Sequence, residues 1–345
     1  MQEYDVIVVG AGPAGSAAAR VAAAAGLKVL ILERKARPGF PVQCAEYVPV
    51  LMDLEVEIPG EAVAQRVEGM EARFPEGTTL AVHAPGFLLR REVFDYALAL
   101  QAVAAGAELW TSTCVLNWTE KGLIVRREGS LLTLKARMIV GADGPRSVVA
   151  RAAGYRPHRL AVAYQVEVEL PESMRVTQVY FDPAFFGGYA WVFPKGLTAN
   201  VGVGVTRSGT DGCWPDLRGL LIKFLSFLGW EKRRIVRCTG GFIPVSGPYR
   251  SCCLERVILC GDAGGFTHPV TGAGILFAVQ SGEMAGRATV RYFREATPLS
   301  SYDEEWREFL GPPLLRAVRQ RRRMEAGWTG EAQALTTLLR ETWQM

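Results

Sequence analysis

Nowhere does the 345-residue chain carry an apolar stretch long enough to cross a bilayer; its apolar runs are short and broken by Gly, Arg or Pro. The opening string MQEYDVIVVGAG lacks the basic leader of a secretory signal and runs straight into a glycine-rich turn. A cytoplasmic protein is the expectation. The cysteines, at positions 44, 114, 213, 238, 252, 253 and 260, are odd in number and form no CxxC pair. That excludes the common zinc and iron–sulfur spacings and a disulfide framework, and no metal site is expected. Reduced, mostly buried thiols remain, two of them vicinal. Net charge is only +4, and no Lys/Arg stripe is interleaved with aromatics, so nothing points to nucleic acid. Repeats and low-complexity tracts are absent, and at this length two interlocked domains or one large α/β domain are expected.

What is present begins at the N-terminus. YDVIVVGAGPAGSAAARVAAAAGLKVLILERK reads as strand, turn, helix, strand. Val6 to Val9 form the continuous apolar run of a parallel strand buried on both faces. Gly10, Gly12 and Gly15 follow in G-x-G-x-x-G spacing. The first permits a tight turn, the second lets a pyrophosphate approach the backbone, and the third lets the helix pack on the strand. The Ala-rich helix from Ser16 ends at Gly26. Lys28 to Leu32 form the second strand, and Glu33 stands at its end, where an acid would hold a ribose diol. This unit alone fits FAD or NAD.

Three later segments narrow the choice. In LLRREVFDYALALQAVAAGAEL, Arg91 opens an amphipathic helix. In MIVGADGPRSVVARAAG, a strand runs into Gly141, Asp143 and Gly144, with Ser147 at a helix start. In RVILCGDAGGFTHPVTGAGILFAVQSGEMAG, a strand ends in Gly261 and Asp262, and Gly272-Ala273-Gly274 opens a long helix.

In this order the four elements resemble the FAD-dependent oxidoreductases of the p-hydroxybenzoate hydroxylase fold. GFPVQCAEYVP (residues 39–49) and YAWVFP (residues 189–194) narrow the resemblance to the geranylgeranyl reductase family, over nearly the whole chain to about residue 295. The resemblance implies an α/β protein with a Rossmann-like FAD-binding domain of the GR2 type, an inserted antiparallel β-sheet substrate domain and a C-terminal helical tail. The FAD domain would comprise residues 1–65, 86–153 and 250–298, the substrate domain 66–85 and 154–249, and the tail 299–345.

It further implies that FAD is held by Gly10, Gly12, Ala14, Gly15, Glu33, Arg34, Arg91, Val115, Asp143, Gly261, Asp262, Gly272, Gly274 and Ile275. Cys44 and Ala45 would also meet the cofactor, with Gly274 and Ile275 beside the flavin ring. A helix start there suits the anionic pyrimidine end of a reduced flavin. Ala45 stands where the family usually has Gly, Gly264 replaces an Ala in G-D-A-A-G, and the C-terminal region is short. These departures leave the substrate open.

Between the flavin segments, period-two runs of branched and aromatic residues span 66–74, 160–170, 176–181, 189–193 and 199–206. They read as an antiparallel sheet, with WPDLRGLLIKFLSFLGW as an amphipathic helix on it. Tyr189, Trp191 and Phe193 share one face of a strand. They form either an aromatic wall of a binding site or sheet core. Gly187 and Gly188 leave room for a ligand or for another backbone. Cys44, Tyr189 and Trp191 are the candidate catalytic residues, Cys44 as a shaper of substrate approach or a proton source. His268 would tie its loop, and His83 and His158 would lie at the surface. The basic run RAVRQRRRMEAGW reads as a solvated helix face, with contact to an anionic membrane surface or a partner as the alternative.

The expected activity is hydride transfer from reduced flavin to a carbon–carbon double bond in an apolar, isoprenoid-like substrate. No second G-x-G-x-x-G marks a nicotinamide domain, which leaves the external reductant open, with NAD(P)H and a redox protein as the candidates. A flavin monooxygenase or halogenase on the same fold, and a flavoprotein electron carrier, are the alternatives.

Overall fold

The computed structural model describes residues 3–54, 56–207 and 214–343; Cys213 lies outside them. The chain divides into two compact units. The first comprises Met1–Pro41, Arg91–Arg159 and Pro244–Arg316, the second Val42–Arg90, Leu160–Ile243 and Ala317–Met345. These boundaries differ from those read in the sequence. Residues 42–65 and 86–90 go with the second unit, because Tyr47–Pro49, Gly86–Leu89 and Val63–Val67 pair into a small antiparallel sheet. Residues 154–159 and 244–249 go with the first, tied by the Val245 amide to the Arg159 carbonyl. The helical tail, Ser300–Phe309, Gly311–Ala326 and Ala332–Thr342, is divided between the two.

The first unit is built on parallel strands in the order Val257–Leu259, Ser130–Gly141, Glu3–Val9, Val29–Leu32, Glu108–Trp110. Residues 6–9, Val29–Leu32, residues 138–141 and Val257–Leu259 are buried throughout, whereas the edge strand Glu108–Trp110 is only partly so. Helix Pro13–Ala24 crosses helix Ile275–Glu295 at close quarters. A Cβ on Gly282 would stand 2.2 Å from the Ala14 carbonyl oxygen, and one on Gly286 2.8 Å from that of Ala18. Small residues at this crossing are therefore a packing requirement.

The second unit is a sheet in the order Ile235–Pro244, Leu160–Glu169, Thr198–Val205, Tyr189–Pro194, Val176–Tyr180, Gly69–Arg73, Thr79–Val82. It departs from the wholly antiparallel expectation where Val176–Tyr180 runs parallel to Gly69–Arg73. The run read as one strand over 66–74 breaks at Glu68, and its halves join different sheets. Helix Leu217–Phe227 is capped by the Asp216 carboxylate, which accepts from the Gly219 amide at 3.0 Å. It buries Leu221, Phe224 and Leu225 in the same apolar cluster as Val166, Val201 and Val203 of the sheet.

Candidate active site

The glycine-rich turn of the first unit divides its labour by position. Gly10 has φ +102°, and a Cβ there would meet the Ala142 carbonyl oxygen at 2.4 Å. A Cβ on Gly15 would stand 1.9 Å from the Gly10 carbonyl oxygen. Around Gly12, in contrast, an added Cβ meets nothing within 4 Å. Gly12 is the N-cap of helix Pro13–Ala24, and no side chain caps this end. An open space at uncapped helix amides, including those of Ala14 and Gly15, fits a pyrophosphate. The buried Glu33 carboxylate reaches this turn: its Oε2 accepts from the Ala11 amide at 2.9 Å and its Oε1 from the Lys35 amide at 2.8 Å. Arg34 beside it is exposed.

The other candidates of this unit have distinct settings. Arg91 forms a bidentate pair with Asp95, at 2.7 and 2.8 Å. Its charge also bears on Asp262, opposing the burial that raises the Asp262 carboxyl above its ordinary value. Asp262 Oδ1 accepts from the Thr267 hydroxyl at 2.5 Å. Gly261, at φ +56°, lies against Ala14, and its amide donates to Ser281 Oγ at 3.0 Å. Asp143 uses both carboxylate oxygens within its own loop, accepting from Ser147 Oγ and from the amides of Val148 and Val149. Val115 is buried in strand Thr113–Thr119.

Helix Ile275–Glu295 begins at Gly274 without a side-chain cap, and Gly272 just before it sits at φ +71°. The loop ahead is tied by His268, whose Nδ1 accepts from the Thr271 amide at 3.2 Å and whose carbonyl accepts from the Gly272 amide. Burial holds the His268 imidazole down at about 4. His158 corrects the sequence reading. It is buried, not at the surface, with Nδ1 2.8 Å from Ser246 Oγ, Nε2 3.3 Å from the Ala263 carbonyl oxygen and its ring stacked on Tyr249. His83 is exposed.

The residues of this unit thus fit FAD: a space at Gly12, two uncapped helix starts and an acid at the strand end. Among the described residues no cluster could hold a metal ion, and no helix is long and apolar enough to cross a membrane.

Cys44, Ala45, Tyr189 and Trp191 belong to the second unit. Tyr189, Trp191 and Phe193 follow one another along one face, ring centroids 6.0 and 6.3 Å apart. Trp191 lies flat on the next strand, where a Cβ on Gly202 would meet its ring at 2.3 Å. The room at Gly188 belongs to backbone, since a Cβ there would stand 1.8 Å from the Gly204 carbonyl oxygen. Trp191 Nε1 donates to Gln165 Oε1 at 3.2 Å, and Gln165 Nε2 donates to the Cys44 carbonyl at 2.8 Å. Burial raises the Tyr189 phenol above its ordinary value, with Arg321 opposing and Cys44 adding. The Trp343 ring stands edge-on to Tyr189 at 4.8 Å and to Phe181 at 4.9 Å. Core packing and hydrogen-bonded linkage to Cys44 therefore coexist in the aromatic strand.

Comparison with known proteins bears on both units. A family model described as FAD dependent oxidoreductase matches residues 5–168, and one for the geranylgeranyl reductase catalytic domain matches residues 159–243. The chain is 34% identical over 340 residues to a digeranylgeranylglycerophospholipid reductase of Methanothrix thermoacetophila, spanning 90% of this chain and 85% of the relative. The chain belongs to the geranylgeranyl reductase family of FAD-dependent oxidoreductases. A geranylgeranyl bacteriochlorophyll reductase-like protein of Thermoplasma acidophilum has the same fold, with TM-score 0.87, 26% identity and coverage of 99% of this chain and 97% of that one. A flavin-dependent brominase variant, TM-score 0.77 at 17% identity with coverage of 98% and 91%, shares the fold alone.

Several residues of this family member's second unit were not singled out from sequence. Glu46, fully buried, meets Lys195 Nζ at 2.6 Å, and Asn200 Nδ2 donates to the same carboxylate at 2.9 Å. Arg321, also buried, pairs with Glu325 and donates to Thr206 Oγ1. Gln165 and Asn200 alternate with the valines of their strands and lie on the sheet face opposite the apolar cluster of Val166, Val201 and Val203, so the apolar pattern did not mark them.

Proposed function

We propose that this FAD-dependent oxidoreductase saturates carbon–carbon double bonds in a long apolar isoprenoid lipid. One observation carries the reading. The aromatic strand Tyr189–Pro194, linked through Gln165 to Cys44, lies in the segment that matches the geranylgeranyl reductase catalytic domain. The name of the Methanothrix thermoacetophila relative supports the lipid class. Bound to the first unit and reduced by the external donor, FAD would supply the hydride.

The chain's own residues orient and protect. The amides at Ala14 and Gly15 hold phosphate charge and Glu33 holds the ribose, while the uncapped start of Ile275–Glu295 favours negative charge at the flavin ring. Tyr189 and Trp191 offer ring faces to an apolar chain. Burial keeps the Tyr189 phenol protonated at neutral pH, so its hydroxyl can donate. Cys44 lends a proton at Sγ to the carbon that does not receive hydride. The external reductant is NAD(P)H or a redox protein. Helix Gly311–Ala326, which exposes Arg316, Arg319 and Arg322, makes peripheral contact with an anionic membrane surface.

The test turns on oxygen. The enzyme is reduced chemically without air and given polyprenyl lipids. Return of the oxidised flavin spectrum, with product heavier by two hydrogens per double bond, supports the reading. A product that gains oxygen or halogen, and only in air, replaces it with a monooxygenase or halogenase. Reoxidation only by a redox protein replaces it with an electron carrier.

A further inference from the structure

Glu46 combines two costly features. Its side chain is fully buried, and its backbone sits at φ +73°, a region that non-glycine residues seldom adopt. The carboxylate is matched by Lys195 at 2.6 Å and Arg237 at 3.5 Å, and Lys195 is itself only 7% exposed. A buried ion pair is a poor way to gain stability over an apolar one, because desolvation consumes most of the Coulomb attraction. What such a pair can do is fix geometry.

The geometry here converges on three residues, Cys44, Ala45 and Glu46. The Cys44 carbonyl accepts from Gln165 Nε2 at 2.8 Å. The Ala45 carbonyl accepts from Asn200 Nδ2 at 3.2 Å. The Glu46 carbonyl accepts from the Leu89 amide at 2.9 Å, and its carboxylate is held by Lys195. Held in this way, the Glu46 amide donates to Cys44 Sγ at 3.2 Å. Gln165 is braced in turn by the Trp191 indole. Side chains from separate strands thus grip the backbone that carries one thiol.

We infer that Gln165, Asn200 and the Glu46–Lys195 pair are positioning residues that fix the Cys44 thiol, with the Glu46 amide as its hydrogen-bond partner, for the reduction. The inference rests on the reading of Cys44 as the group that meets substrate. A hydrogen bond donated to sulfur favours the thiolate, so loosening the segment raises the pH at which Cys44 becomes reactive. It also misplaces the thiol without touching FAD.

The experiment uses the full holoenzyme. Iodoacetamide alkylation of Cys44 is followed against pH by mass spectrometry of its peptide, beside kcat, KM and flavin content, in Gln165→Leu, Lys195→Met and Lys195→Arg. In the first two variants the alkylation midpoint should rise by about half a pH unit or more. Their kcat should fall roughly 10- to 100-fold with KM and flavin content little changed, and Lys195→Arg should recover most of both losses. If Lys195→Met does not fold, the double variant Glu46→Gln/Lys195→Met removes both charges together, and Gln165→Leu leaves them untouched. A native alkylation profile and native kcat in Gln165→Leu would overturn the inference. Cys44→Ser with unchanged turnover would instead remove the catalytic reading of the thiol, an outcome separable from the first.

Discussion

Gly12→Ala and Gly15→Ala are the same chemical change three residues apart, and the structure gives them opposite consequences. At Gly12 the backbone is at φ −77°, ψ −177°, which alanine adopts without strain, and the added Cβ meets nothing within 4 Å. Alanine is a poorer N-cap than glycine, by up to ~1 kcal/mol. It also restricts the unfolded chain, a gain of about 0.4–1 kcal/mol. The two nearly cancel, so the flavin-free protein should melt within about 3 °C of the parent. FAD binding is where Gly12→Ala should fail. The methyl occupies the approach to the helix amides, and losing one charge-assisted hydrogen bond to a phosphate costs ~1.5–3 kcal/mol, roughly 10- to 100-fold in Kd. At Gly15 the methyl would stand 1.9 Å from the Gly10 carbonyl oxygen, so helix and turn must separate. That overpacking should cost about 3 kcal/mol in the flavin-free protein itself. Flavin is stripped from each variant, thermal melts are recorded, and FAD is titrated back by quenching of its fluorescence. Native FAD affinity in Gly12→Ala, or equal loss of flavin-free stability in both variants, would refute the assignment of Gly12 to the cofactor and Gly15 to packing.

Other outcomes follow from single side chains. Glu33→Gln keeps an acceptor for the Ala11 amide but loses the one facing the Lys35 amide, so it should cost about 1 kcal/mol of stability and weaken FAD binding by ~1.5–3 kcal/mol in the same titration. Trp191→Ala should destabilise the protein by ~3–5 kcal/mol in urea denaturation, because the ring fills the space over Gly202; Trp191→Phe should lose far less and isolate the indole bond to Gln165. His268 is held at about 4 in the folded state against 6.5 in the open chain. Below pH 6.5 the unfolded chain takes up a proton that the folded one refuses, so this stability is complete above 6.5 and lost as pH falls towards 4, by roughly 3 kcal/mol. His268→Gln should flatten that part of the stability–pH curve, and an unchanged slope would show that the acid sensitivity arises elsewhere.

What could be read from the sequence was what local physics dictates. Gly10 and Gly15 were legible because a positive φ and a close packing contact each exclude other residue types at a fixed spacing; at Gly12 the structure shows an open approach, and its cofactor role belongs to the proposal. Glu33 was legible because a strand end fixes where its side chain points. His158 was misplaced because its partners Ser246 and Ala263 lie 88 and 105 residues away, and no local pattern hides an imidazole beneath a distant turn. The division of the tail was equally silent: Trp343 reaches Tyr189 only once the sheet exists.

The second unit takes this further. Cys44 and Trp191 were each read from their own motif, but the residue that joins them was not, because Gln165 lies 121 positions from Cys44 and 26 from Trp191. Gln165 is nearly inaccessible to solvent on the sheet face opposite Val166 and Val168, with Ala163 and Glu167 as its same-face neighbours, and Asn200 lies on that same face one strand away, between Thr198 and Gly202. An amide at a buried strand position costs free energy unless it is hydrogen-bonded, so its presence implies a partner that the strand itself does not supply. In Leu160–Glu169 and Thr198–Val205 that partner is the backbone of residues 44 and 45. The buried amides on the face opposite the valine stripe, Gln165 and Asn200, thus mark the places where this sheet grips another segment. Here that segment carries the thiol, and the aromatic strand braces the grip through Trp191.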